Sequence, residues 1–447
     1  MSSVLRTFEI GLYQEHLEEI SFLYEQRLLL WDDPQMPWRQ IAEFEARMEA
    51  HIDALVVGDA LALQVCLERA REGDFGELFA AVCVCCRQDH AGMLADILRG
   101  LDVNDPPKVS AVADALKYEL PTGWSSFIEQ ALARRDARLS PLLATVAGYR
   151  RLPFGPWLQH AAATESDNVE RIITALGRLK EFAAQSLLEQ FARNSDASVR
   201  NAALHALLRI GASDLDIEAV APDASAAPAV LALGGNRTSA RLLTQAAQAG
   251  RGSTSVLLAL GLLGDPSAMR LLYESLQNPE LADAAALALH WITGAPLAET
   301  VFVPEPLKED ELMGKELQAW QQHKEVPKRS DGKPFGESAT KLTTEQQHWK
   351  HWFSQHASQF NPDLRYRNGK PCSPAVLLEN LIEPNSDGRL RRFVAQELVV
   401  RYGCDIPFET DMPVMHQIAA IGRITTWVKE RADAFQAGRW YLNGRVQ

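Results

Sequence analysis

Three histidines, His348, His351 and His356, come nearest in type and spacing to doing chemistry in this chain. On a helix, His348 and His351 fall on neighbouring faces, which is how a metal site can begin. No carboxylate or cysteine stands at ligand spacing within that segment, and Trp349, Trp352 and Phe353 read as its core stripe. Metal sites also need groups that orient their ligands, so no metal is expected here. Cys83, Cys85 and Cys86 lie in the apolar run Ala81–Cys86 without the Cys-x-x-Cys spacing of structural zinc. They read as buried thiols in a reducing compartment. Arg365, Arg367 and Lys370 are chemically able to hold a phosphate. In an acidic chain they are expected to pair with carboxylates instead, as are Arg389, Arg391 and Arg392. No phosphate loop, dinucleotide fingerprint, His-Glu-x-x-His or Gly-x-Ser-x-Gly occurs. The expectation is a protein without catalytic residues, metal or cofactor.

The chemistry that remains is charge. The 447 residues carry a net −13, and the first 120 hold −12 of it, with 12 acidic and 4 basic side chains in residues 1–60 and 10 and 6 in residues 61–120. A concentrated negative field captures basic partners and repels nucleic acid and anionic membranes. Glu15, Glu18, Glu19, Asp32, Asp33, Glu45 and Glu49 are therefore the candidate partner-binding residues. A solvated face kept acidic for solubility predicts the same charge pattern.

The elements that must position these residues show themselves as repeats. Similar hexapeptides begin at Ala175, Ala206, Ala229, Ala259 and Ala288, at spacings of 31, 23, 30 and 29 residues. A period of that length is the signature of stacked helical units. The clearest unit runs from Asp196, a helix cap, to Gly211, a helix stop. Between them Val199, Ala202, Ala203, Ala206, Leu207 and Ile210 recur at the spacing of one buried face. Arg200 is expected to cap or pair locally with an acidic neighbour in the turn of an adjacent repeat. Asp265-Pro266 and Asp387 to Gly403 read as weaker copies, and residues 211–235 depart from the spacing. The predicted fold is an all-α, HEAT-like solenoid of stacked antiparallel helix pairs; a non-repeating helical bundle is the alternative.

Four regions follow. Residues 1–58 form an acidic helical pair with Tyr13, Leu17, Ile20, Phe22, Leu23 and Leu28 to Leu30 on its apolar side. Residues 59–296 hold the repeats, 297–345 a polar connection and 346–447 a helical module. An exposed apolar face on the first pair would support a homodimer. The opening residues include Arg6, Glu9 and Glu15, and the longest uncharged run, Ala284 to Ala298, is too short for a bilayer. A cytoplasmic protein without a membrane span is expected.

His16-Leu-Glu-Glu-Ile-Ser-Phe-Leu-Tyr-Glu-Gln-Arg27, with Glu43 to Leu55 and Gly58, resembles the opening of a HEAT-repeat family of proteobacteria found beside type VI secretion genes. The likeness continues through Trp349-x-x-Trp352, Arg365-Tyr-Arg-x-Gly369 and Arg392 to Leu398. It implies a cytoplasmic accessory protein, with no catalytic residues to carry across. The protein class it implies is the immunity partner of a secreted toxin; joined to the charge, this gives an acidic N-terminal region or a concave solenoid face that captures a basic toxin, such as a nuclease, by direct binding. An adaptor that delivers an effector to the secretion apparatus is the alternative, and a repeat-built enzyme a distant third.

Overall fold

The computed structural model describes residues 3–33, 36–124, 137–164, 167–212, 227–305, 307, 312, 314–324, 326–329 and 332–447, and most of them are helical. The chain opens with two helices, α1 (Ser3–Asp32) and α2 (Ile41–Val57), packed on one another. Leu17, Ile20, Leu23 and Tyr24 meet Ile52 and Leu55 in their core. Phe22 and Leu29, expected on that apolar side, instead face solvent at 52% and 60% exposure. The helical period explains this, because positions 22 and 29 lie across the helix from 17, 20 and 24.

Helices α3 (Asp59–Glu72), α4 (Phe75–Arg87), α5 (Ala91–Gly100) and α6 (Pro106–Glu119) follow. Asp74 and Glu77 form a reciprocal capping box on α4, which is buried from Gly76 to Cys86. Burial of α4 carries Cys83, Cys85 and Cys86 into the core near Cys66, where the thiols stay unpaired. Burial pushes Cys66 and Cys85 up to about 12, which leaves them inert as nucleophiles.

Ten further helices follow among the described residues: α7 (Ser140–Arg150), α8 (Gly155–Thr164), α9 (Val169–Arg178), α10 (Gln185–Phe191), α11 (Ala197–Ile210), α12 (Pro228–Gly234), α13 (Arg237–Ala246), α14 (Thr254–Leu263), α15 (Met269–Ser275) and α16 (Ala282–Thr293). One row of helices, α4, α6, α7, α9, α11, α12, α14 and α16, packs each on the next. A second set, α8, α10, α13 and α15, covers that row. The alanines of the repeated hexapeptides explain how the row closes up. A Cβ added to Gly148, Gly177 or Gly261 would lie 2.8, 2.7 or 2.6 Å from the Cα of Ala175, Ala206 or Ala288 on the next helix. Only glycine against alanine lets these backbones approach so closely. The expected caps form: Asp196 accepts from the amides of Ser198 and Val199, Asp265 from Ser267, and Asp387 from Arg389 and Leu390. Gly211 ends α11, and Gly403 ends the helix that Asp387 caps, both in the left-handed region, at φ 80 and 73. Among the described residues Arg200 reaches no acidic neighbour; it acts locally, donating to the Asn194 and Ser195 carbonyls in the turn just before its own helix. Residues 213–226, where the repeat spacing breaks, lie outside the described residues.

One expectation about the last third needs correction. The all-α reading misses a ribbon: β1 (Ala298–Pro304) pairs antiparallel with β2 (Gly336–Leu342), from Ala298 opposite Leu342 to Pro304 opposite Gly336. Thr300, Val301, Phe302 and Val303 have the β-branched and aromatic side chains that suit a strand, a signal masked by the polar composition around them. Between the strands lies α17 (Lys315–His323). The C-terminal region packs on the rest of the chain. It contains α18 (Gln346–His356), the short hairpin β3 (Tyr366–Arg367) and β4 (Lys370–Pro371), α19 (Pro374–Ile382), α20 (Gly388–Tyr402), α21 (Val414–Glu430), and the hairpin β5 (Tyr441–Leu442) and β6 (Arg445–Val446). One core joins Leu377, Leu398 and Ile421 from this region to Trp38 near the N-terminus and Trp291 of α16.

Candidate protein-docking surfaces

Helix C-termini present unsatisfied carbonyls and negative dipole ends, so they collect cations. The row helices follow this rule: Lys117 lies near the end of α6, Arg151 just past α7, Arg178 and Lys180 at α9 and Arg209 at α11. The extended segment between α20 and α21 crosses these ends and meets them with acids. Asp405 receives Arg151 at 2.9 Å and Lys180 at 3.2 Å, Glu409 receives Arg178 at 3.2 Å, and Asp411 receives Lys117 at 3.2 Å. Tyr118 Oη donates to the Asp411 carbonyl at 2.8 Å. Burial alone would raise the Asp411 carboxyl, yet Lys117 and Arg178 outweigh it and hold the group below its ordinary range. Arg151 and Lys180 do the same for Asp405. A cleft of about 300 Å³ beside this segment is lined by Asp114, Lys117, Thr174 and Arg178, and the Asp114–Lys117 pair is already closed at 2.8 Å.

The later row helices are met by main chain and guanidinium groups. Arg401 donates to the carbonyls of Ala232 and Gly235 at the end of α12, each at 2.9 Å. Arg367 donates to the carbonyls of Gly261 at 3.1 Å and Leu262, and the amide of Tyr366 to that of Gly264 at 2.7 Å. The amides of Asn368 and Gly369 reach Trp291 and Ile292 at 2.8 and 2.9 Å. Arg365, Arg367, Arg401 and Glu397 are all fully buried, with Glu397 bonded to Arg365 and 3.4 and 3.1 Å from Arg367 and Arg401. Burial opposes the Glu397 charge, but the three guanidiniums hold its carboxyl below the usual range. Arg401 in turn is pushed down to about 10, by burial first and Arg365 second. Carboxylate pairing thus holds for Arg365 and Arg367, for Lys370 with Glu379 and for Arg389 with Asp387. It fails for Arg391, which lies 4.1 Å over the Trp38 ring and donates to Gln417 and the Leu381 carbonyl.

The acidic N-terminal residues divide into two groups. Glu15, Glu18, Glu19, Asp32 and Asp33 are exposed on or just past α1. Glu19 has Arg47 3.9 Å away, and Asp32 has Arg392 at the same distance. Glu45 is different: its side chain is 12% exposed, binds Arg27 at 2.8 Å and accepts the Val414 amide at 2.6 Å. It ties the N-terminal pair to α21 and is withdrawn from the docking set. Glu49 is exposed but shares Arg87 with Asp53 and Glu119, at 2.8, 2.8 and 2.7 Å. Glu77 is buried and Glu45, Asp114 and Glu119 are half-buried, whereas the exposed carboxylates line α1 at Glu15, Glu18, Glu19, Glu25 and Asp32 and continue over α2 to α5 at Glu43, Glu49, Asp53, Glu68, Glu72 and Asp96.

The histidines of α18 do not converge. His348 Nδ1 is 3.3 Å from Thr343 Oγ1, His351 Nε2 lies near Gln355, and His356 stacks on Trp352. Among the described residues no three His, Cys, Asp or Glu side chains gather as metal ligands. Missed in the sequence were Asp405, Glu409 and Asp411; the signal available was the recurrence of Lys or Arg at the ends of α6, α7, α9 and α11. No helix among the described residues is long and apolar enough by itself to cross a membrane. Comparison with protein-family models, curated proteins and solved structures finds no match to this chain.

Proposed function

We propose that this chain is a non-enzymatic, HEAT-like α-solenoid of antiparallel helix pairs that docks a basic protein on its acidic N-terminal face. One observation carries the reading. The basic ends of the row helices are occupied by the chain's own segment 405–411, whereas Glu15, Glu18 and Asp32 remain exposed on α1. The charge left for a partner is negative. Joined to the resemblance to type VI secretion neighbours, this favours a cytoplasmic immunity protein that covers a basic secreted toxin. An adaptor role is favoured by a separate feature, the ribbon β1–β2, whose Phe302 is 48% exposed and offers a second contact distant in sequence from α1.

The test is a combined Glu15→Lys, Glu18→Lys, Glu19→Lys and Asp32→Lys variant in the native bacterium. Loss of electrostatic steering should slow toxin capture about ten-fold and weaken protection, while the protein stays folded and abundant. Full protection by the folded variant rejects the N-terminal docking reading. Simultaneous binding of an effector and a secretion component would select the adaptor role.

A further inference from the structure

The outward side of α1 is not merely acidic. Leu5, Phe8, Leu12, Phe22 and Leu29 are 47%, 66%, 38%, 52% and 60% exposed. With Glu15 and Glu19 they fall at alternating spacings of three and four residues: 5, 8, 12, 15, 19, 22, then 29 after the position held by Gln26. That is the spacing of a coiled-coil seam, with Leu5, Leu12 and Glu19 in one row and Phe8, Glu15, Phe22 and Leu29 in the other. The seam runs 24 residues along the helix, about 36 Å at the α-helical rise. It lies across the helix from Leu17, Ile20 and Tyr24, which α2 and α4 cover. Exposed large side chains in one ordered line, rather than scattered singly, mark an interaction surface.

We infer that this seam binds a basic amphipathic helix of the partner protein, an inference that rests on the N-terminal docking reading above. Charge decides the occupant. Glu15 and Glu19 stand within the seam, and Glu18, Glu25 and Asp32 flank it, against Arg6, Arg47 and the Arg392 beside Asp32. A second copy of α1, laid parallel or antiparallel in register, would set Glu15 and Glu19 against each other's carboxylates in the two central layers. A helix with apolar residues opposite Phe8, Phe22 and Leu29, and lysine or arginine opposite Glu15 and Glu19, fits both the apolar and the charged positions. The apolar anchors supply contact area, and the acidic layers set register and exclude acidic helices.

The probe is a synthetic 28-residue helix with leucine at its seam positions and lysine opposite Glu15 and Glu19 and on the flanks. Its twin carries glutamate for every lysine. Both are titrated against the full chain by fluorescence anisotropy, with sedimentation run alongside. The lysine peptide should bind one per chain and the glutamate twin should not. Binding should weaken at least ten-fold with Phe8→Ser/Phe22→Ser/Leu29→Ser, and at least ten-fold with Glu15→Lys/Glu19→Lys. Circular dichroism checks both variants, and Leu29→Ser alone serves if the triple variant misfolds. Unchanged binding by the serine variant, with loss only on charge reversal, overturns the seam while leaving acidic docking intact. Unchanged binding by both variants, or no saturable binding by the wild-type chain, overturns the seam and its premise together. A concentration-dependent dimer abolished by the serine substitutions would assign the seam to a second copy and equally overturn the inference.

Discussion

Glu397 and Glu18 are both glutamates on long helices, and the molecule uses them in opposite ways. Glu397 on α20 is fully buried among Arg365, Arg367 and Arg401, and carbonyls from the ends of α12 and α14 accept from Arg401 and Arg367. Glu18 on α1 is exposed in a row of other carboxylates. The first environment makes charge a structural bond, because a buried ion without its partner retains the full penalty of desolvation. The second leaves charge screened by water, nearly neutral for stability and available for long-range attraction. The same contrast separates Asp411, held by Lys117 beneath α20–α21, from Asp32, which is 79% exposed.

Removing Glu397 should break the comparison most severely if it is wrong. Glu397→Ala strands three buried guanidiniums and should cost about 3–5 kcal/mol in urea unfolding. A cost below about 1 kcal/mol, the range of exposed pairs, would mean that this cluster behaves like surface charge. A smaller effect is expected from Asp411→Asn, which leaves Lys117 paired with the Asp114 carboxylate. Loss of a hydrogen bond to a charged group should cost about 1.5–3 kcal/mol, accompanied by faster amide exchange in the segment 404–413.

Acid should sharpen the difference. Asp405, Asp411 and Glu397 have folded carboxyls below their ordinary values of 3.8, 3.8 and 4.5. Their stabilisation is therefore present above those values and lost as pH falls through the lower folded ones. Urea midpoints should drop steeply below about pH 4, and the Asp405→Asn/Asp411→Asn variant should show a shallower drop. Reversing Glu15, Glu18 and Asp32 to lysine should change stability by no more than about 0.5 kcal/mol each, measured in the same way.

The smallest effect belongs to the histidine pair between α1 and α2. His16 and His51 approach at 2.8 Å through their Nδ1 atoms, and burial, then His51, lower the His16 value below 6.5. The unfolded chain takes up that proton more readily, so stability should decline slightly as pH falls below 6.5. His51→Gln should flatten the slope between pH 7 and pH 5, detectable as a smaller shift in thermal midpoint.

The sequence alone determined what can be written within one helical turn or one repeat. Asp196 and Gly211, Asp265, and Asp387 and Gly403 mark helix ends because caps act on amides two or three residues away, and the repeated alanines mark where the row helices meet. The buried cysteines were legible from their apolar run for the same reason. The acidic face of α1 was legible as composition, but not Phe22 and Leu29 on it, whose side of the helix depends on where α2 and α4 lie. Only the tertiary structure decided that Glu45 is a tie, that Arg391 meets Trp38 and that an acidic segment closes the ends of the row helices. Those contacts join Arg27 to Asp411 across 384 residues and Lys117 to Asp411 across 294. Local periodicity and capping carry no record of such a return, because the free energy that selects it comes from burying the C-terminal helices against the whole row at once.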